Sequence, residues 1–262
     1  MVITTSWDDG DALDERLADM LDRHGLRGTF YIAQTHRRHR LLEAGIRTLA
    51  ARHEIGAHSL SHSNLTRLDR AAKTREVAGS KSWLEDVTGK PVAMFCYPLG
   101  LFDDETKRVV GEAGFCGART TGQFSLTPHQ DRFAMRTTLQ VHPILFRHST
   151  VGDLGRYLVR QGASRGNRWA ALKIGVSMFR GWSGLADFLL AAAALDDSHV
   201  FHLWGHSWEI EEHGMWRECD AFLRSISMLG YRTRSNGEIC QSLCVPATPP
   251  ATPPAEVSRS LA

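Results

Sequence analysis

The chain has 262 residues, 42% of them hydrophobic, which is enough for one sizeable core and does not require a second domain. A formal net charge of +2 is too small to argue for nucleic acid as a partner. Five cysteines, odd in number and without Cys-x-x-Cys spacing, argue against a disulfide framework and for reduced thiols in a cytoplasmic compartment.

Residues 2–7 are an apolar-leaning run that reads as a buried strand, and Asp8 and Asp9 follow at its C-terminal end before Gly10 turns the chain away. Adjacent carboxylates repel and their side chains diverge, which suits one to a cation and the other to service as a base. Either one alternatively caps the helix that follows. That helix is expected over 12–24, closed by Gly25. With this acidic pair so near the first residue, no export segment is expected ahead of it.

Strands are expected at 28–33 and 54–57, and the second leads into His58-Ser59-Leu60-Ser61-His62. Two histidines at this spacing can aim ring nitrogens at one point, as catalytic zinc sites require. In a chain with 13 histidines a structural pair at the same spacing is the competing reading. A helix over 68–88 sets Val77, Lys81, Leu84 and Val87 near one face and ends at Gly89. Further strands are expected at 92–97, 115–120, 132–137 and 199–204.

The run 185–195 is too short for a membrane span and contains Asp187, so it reads as a buried helix. The last strand carries His202 within it, which reads as packed, and places His206 beyond Gly205 at its end. A side chain titrating near neutrality at a strand end suits proton transfer. Trp204 and Trp208 read either as core or as a platform for a sugar ring.

Short apolar runs alternating with amphipathic stretches give an α/β fold, a β/α barrel or a doubly wound sheet, over residues 1–244. The chemistry-bearing residues all fall at strand ends, the C-terminal mouth of such a barrel. Residues 147–182 depart from this pattern as an insertion with Arg147, Arg156, Arg160, Arg165, Arg168, Lys173 and Arg180 against the single acid Asp153. Within it Trp169, Leu172, Val176 and Phe179 recur at helical spacing, a face for the barrel or for peripheral contact with a membrane, while the arginines suit phosphates. Residues 245–262, with a repeated Ala-Thr-Pro-Pro, form an expected disordered tail.

Ser6-Trp7-Asp8-Asp9-Gly10 and His58-Ser59-Leu60-Ser61-His62 together resemble the first two motifs of the polysaccharide deacetylases, the NodB-type homology domain of carbohydrate esterase family 4. Phe95-Cys96-Tyr97-Pro98-Leu99-Gly100 is similar to the third motif in Pro98 and Gly100, but has Cys96 at the family's Arg position and Leu99 at its aromatic position. Val200 to Glu209 is similar to the fifth motif, and no counterpart of the fourth is present.

The resemblance implies a distorted (β/α) barrel and a divalent metal on Asp9, His58 and His62. Zinc is expected there, with cobalt, nickel or iron able to use the same ligands. It further implies Asp8 as catalytic base, His206 as general acid and a Leu99 backbone N–H as oxyanion donor. The Arg absent from position 96 contacts the base in the family, and Arg136 is the expected replacement. The implied reaction removes an acetyl group from an N-acetylated sugar, nucleotide- or lipid-linked in a cytoplasmic setting. Two other readings remain open: a hydrolase of a non-sugar linear or cyclic amide, and an inactive carbohydrate-binding barrel.

Overall fold

The computed structural model describes residues 1–126, 131–143 and 180–244. Apart from residues 180–182, the basic segment 147–182 lies outside the described residues, as does the tail 245–262. The strands are β1 (Val2–Asp9), β2 (Thr29–Ile32), β3 (Glu54–Ala57), β4 (Met94–Cys96), β5 (Gly117–Arg119), β6 (Leu139–Gln140), β7 (Val200–Gly205) and β8 (Arg232–Thr233). They form one sheet in the order β5-β4-β3-β2-β1-β7-β6, with β8 paired to the start of β1. Every ladder in it is parallel.

β1 begins with the β-branched run Val2-Ile3-Thr4-Thr5 and is buried from Ile3 to Asp9. Burial on both faces is what a parallel sheet needs when helices cover its outside and side chains fill its curl. Those helices are α1 (Asp14–Arg23), α2 (Glu43–Arg52), α3 (Arg70–Thr88), α4 (Asp104–Glu112), α5 (Gly181–Ala193), α6 (Ser207–Glu212), α7 (Trp216–Met228) and α8 (Asn236–Cys244). α3 is capped at its start by the Asp69 carboxylate, which accepts from Ala72 N–H. It ends where Gly89 adopts φ 64°, a left-handed value that glycine takes without a Cβ clash. Among the described residues no helix is long and apolar enough to cross a membrane.

The sheet curls into a half-barrel whose edges are joined by one stretch of chain. Ala118 N–H bonds to Arg132 O and Thr120 N–H to Met135 O on the β5 side, and then Thr138 N–H bonds to His202 O and Val141 N–H to Trp204 O on the β7 side. The expected strand at 132–137 is thus a single bridge, Arg119 to Met135, followed by the short β6. Sharing its backbone groups between two edges leaves this segment no room for one continuous ladder.

Register sets the functional end. Asp8 and Asp9 lie opposite Tyr31 and Ile32 at the C-terminal end of β2, and Trp7 lies opposite Gly205 at the end of β7. The last residues of β1, β4 and β5, together with the segments just after β3 and β7, therefore meet at one mouth. Gly10 turns the chain there with φ 71°, and a Cβ at this position would come within 2.6 Å of Ile32 Cγ2.

Candidate active site

A cleft of about 220 Å³ opens at that mouth, and Asp8, Asp9, His58, His62, Leu99 and His206 all line it. Neither aspartate caps α1. Its N-cap is Leu13, and the loop carboxylate that bonds backbone there is Asp11, accepting from Leu13 N–H at 3.1 Å.

Asp9 is 2% exposed, and its Oδ1 has no hydrogen-bond donor. Facing that oxygen are His62 Nε2 at 3.5 Å and His58 Nε2 at 3.6 Å. The His58 ring is oriented from behind: its Nδ1–H donates to the Cys96 carbonyl at 2.8 Å, which leaves the Nε2 lone pair toward Asp9. The two histidine rings meet edge to face. Burial pushes the His62 imidazole down to about 3, so it is neutral at ordinary pH. Burial opposes the Asp9 charge, but His206, His58, His62 and His36 outweigh it and hold the carboxyl at about 2. A buried anionic oxygen without a donor, facing two ring nitrogens, fits a divalent cation.

His36, in the loop after β2, is a cleft residue that the motifs do not reveal. Its Nε2 is 3.7 Å from Asp9 Oδ2, and its ring stacks on His62 at 3.9 Å with an 18° interplanar angle. Trp208 Nε1–H donates to the same Asp9 oxygen at 2.9 Å, so this tryptophan serves the acidic cluster directly. Trp204 is fully buried and also borders the cleft.

Asp8 is held from two sides. Arg119 Nη2–H donates to its Oδ1, and the Cys96 thiol faces Oδ2 at 3.7 Å. Arg119 is fully buried, its guanidinium 4.7 Å from the Trp204 ring centroid and 5.3 Å from that of Tyr31. The arginine against Asp8 is therefore Arg119 and not the expected Arg136, whose Nη2–H donates to the Gln123 carbonyl at 3.0 Å. The reason is topological. Arg119 ends β5 beside β4 and points into the curl, whereas Arg136 lies past the Met135 bridge and turns toward the 122–123 loop.

His206 follows β7 and enters α6. Its Nδ1–H donates to Glu209 Oε2 at 2.7 Å, and the same oxygen accepts from Gln140 Nε2 at 3.0 Å. Glu209 is 1% exposed, a buried carboxylate partner for this histidine. The ring's Nε2 is left toward the cleft, 4.0 Å from Asp9 Oδ2. Burial lowers the His206 pKa below the ordinary histidine value, against Asp9 and Asp8, which raise it. His202, as expected, is packed, with Nε2 2.8 Å from Ser6 Oγ.

Four cleft-forming residues adopt left-handed backbone: Asp9 (φ 84°), Ser59 (φ 63°), His62 (φ 57°) and Leu99 (φ 61°). The His58–His62 loop is fixed in this form by Glu76 of α3, which accepts from Leu60 N–H at 3.0 Å and Ser61 N–H at 2.9 Å.

The polysaccharide deacetylase family model matches residues 1–118. No curated protein matches the chain. The CE4 domain of a multidomain xylanase from the hindgut metagenome of Trinervitermes trinervoides is similar in structure, with 12% identity, TM-score 0.58, and 94% of this chain and 92% of that one covered. A family 4 acetyl xylan esterase from Clostridium thermocellum, in complex with cobalt, has 16% identity and TM-score 0.56, with 94% and 93% covered. A CE4 family pseudoenzyme from Bacillus anthracis has 15% identity and TM-score 0.54; 91% of this chain is covered, but this chain spans only 65% of that one. At these identities the likeness shows a shared fold, the curled parallel sheet.

Proposed function

The chain belongs to the polysaccharide deacetylase family through residues 1–118, and on that premise we propose that it is a metal-dependent hydrolase removing the N-acetyl group from an N-acetylated sugar in the cytoplasm. The observation that carries this reading is the unpartnered, buried Asp9 Oδ1 facing His58 and His62, with Asp8 and His206 on the same cleft.

Asp9, His58 and His62 would hold the cation, zinc by preference for two imidazoles and a carboxylate. Bound there, a divalent cation supplies Lewis acidity toward the acetyl carbonyl and the attacking water. The residues do the rest. Asp8, fixed by Arg119, takes the proton from the water as it adds to the carbonyl carbon. The Leu99 N–H donates to the oxygen that becomes negative, in a turn whose backbone is already set. As the C–N bond breaks, His206 Nε2 delivers a proton to the departing amine while Glu209 retains the Nδ1–H.

The test is metal content and acetate release in the purified protein, beside folded Asp9→Ala and His58→Ala variants. One metal per chain with acetate release from N-acetyl sugars, both lost in the variants, is the expected result. Wild-type protein that takes up no metal overturns the proposal. Ring opening or amide cleavage without acetate moves the substrate to a non-sugar amide.

A further inference from the structure

The loop between β2 and α2 carries His36, Arg37, Arg38, His39 and Arg40 in succession, with no acidic residue among them. It is tied at both ends to the two motifs that make the acidic and histidine cluster. At its start Thr35 N–H donates to Leu60 O at 3.0 Å, inside the His58–His62 loop. At its end Ala12 N–H donates to His39 O at 2.7 Å and Leu41 N–H to Gly10 O at 2.8 Å, just beyond Asp8 and Asp9. The loop is therefore a rim of the cleft, and His36 is its member in the wall.

The three arginines are not equivalent. Arg37 is engaged, with Nε–H donating to Asp11 Oδ2 at 3.1 Å and its guanidinium 4.2 Å over Trp208. Arg38 and Arg40 are exposed and have no carboxylate partner among the described residues. Nor do the cleft's own acids offset the rim: Asp8 is matched by Arg119, Asp9 faces the metal position, and Glu209 holds His206.

Two guanidinia without a carboxylate partner, on the loop that contributes His36 to the cleft wall, favour a ligand with an anionic group, because their planar forks donate paired hydrogen bonds to phosphate or carboxylate oxygens and their field concentrates anions near the mouth. We infer that the substrate carries a phosphate or carboxylate beyond its acetylated end, received by Arg38 and Arg40. This inference rests on the deacetylase reading for the position of the acetyl group, but not for the anion preference itself.

The experiment uses metal-loaded wild type and metal-loaded Arg38→Gln/Arg40→Gln, so that direct binding of an anion to the metal is common to both. Calorimetry with inorganic phosphate and with acetate reads the rim independently of any sugar. Acetate release is then compared for N-acetylglucosamine 1-phosphate, N-acetylmuramic acid and neutral N-acetylglucosamine.

Phosphate or acetate affinity should fall about tenfold or more in the double variant, since two charge-assisted hydrogen bonds are lost. The preference for the matching charged sugar should fall alike, with turnover of the neutral sugar unchanged. Loss confined to phosphate and the sugar phosphate identifies a phosphorylated substrate; loss confined to acetate and the muramic acid identifies a carboxylated one. Equal affinity in the two proteins, or equal kcat/KM for charged and neutral sugars, overturns the inference even if deacetylation stands. An Arg-dependent anion affinity without acetate release from any sugar supports the rim and overturns the deacetylase reading instead.

Discussion

Arg119 on β5 and Asp8 on β1 form a fully buried ion pair although β4, β3 and β2 lie between their strands in the sheet. Only the curl of the sheet brings them together, so the pair ties the half-barrel across its interior. Removing one partner strands the other charge away from water. Arg119→Met is expected to cost about 3–5 kcal/mol in urea unfolding, with most of that recovered in Asp8→Asn/Arg119→Met. Arg136→Met, at a half-exposed position with its bond to a carbonyl, should cost less than about 1.5 kcal/mol. A larger loss at Arg136 than at Arg119 would reverse the assignment.

The His206 and Glu209 pair predicts a kinetic effect without a structural one. Glu209→Gln keeps an acceptor for the Nδ1–H and the contact with Gln140 but removes the charge. Losing a charge-assisted hydrogen bond of about 1.5–3 kcal/mol corresponds to a drop in kcat of about 10- to 100-fold. His206→Ala should lose about 100-fold or more. Circular dichroism must be unchanged in both, and wild-type kcat in Glu209→Gln would remove it from the reaction.

His36 lies as close to Asp9 as the metal-ligand candidates do, yet its ring is nearly parallel to that of His62. Nearly parallel stacked rings do not turn their nitrogens toward each other, so Asp9, His58 and His62 would hold a cation without His36, although His36 lies within reach of Asp9 and His62. His36→Ala should therefore retain one metal per chain, whereas His62→Ala should not. The cobalt-loaded visible spectrum checks this directly: an unchanged d–d envelope in His36→Ala is expected, and a shifted one would make His36 a ligand.

Asp14 adds a pH dependence to stability. Its carboxyl is completely buried against Ser207, whose hydroxyl donates to Oδ1 at 2.5 Å, while Oδ2 has no partner. Burial raises its pKa well above 3.8, beyond the lowering effect of Ser207. A carboxyl with a raised folded pKa contributes stability that is fully present below its unfolded value, near 4, and is lost as pH rises through the folded one. Asp14→Asn, which still accepts from Ser207, should raise the melting temperature at pH 7, and the gain should vanish toward pH 4. An equal gain at both pH values would trace it to packing instead of charge.

The sequence announces Asp8, Asp9, His58, His62 and His206 because each sits in a short local pattern at a strand end. The strands themselves are legible for a related reason: parallel strands buried on both faces read as unbroken apolar runs. Arg119 lies inside such a run, in Gly117-Ala118-Arg119, and an arginine enclosed by apolar neighbours in a strand is itself a signal of a buried partner. Identifying that partner requires the curl, which no local pattern encodes. Glu209 was legible as a carboxylate three positions after His206 at a helix start. His36 was not, since only the anchoring of its loop brings it to the cleft. The expected strand at 132–137 divides its bonds between two edges, a consequence of closure rather than of its own residues.

The left-handed backbone at Asp9, Ser59, His62 and Leu99 places two kinds of selection in opposition. Each such residue stores strain of about 1–3 kcal/mol, released if glycine replaces it. A population screened only for heat resistance should accumulate glycine at positions 59 and 99, where the side chain is not itself a proposed ligand, and should lose turnover as those turns loosen. A population screened for turnover should keep the strained residues and instead retain Glu76, the distant helix residue that clamps the histidine loop. The two lineages would then diverge first at the mouth of the barrel, while its sheet stayed the same.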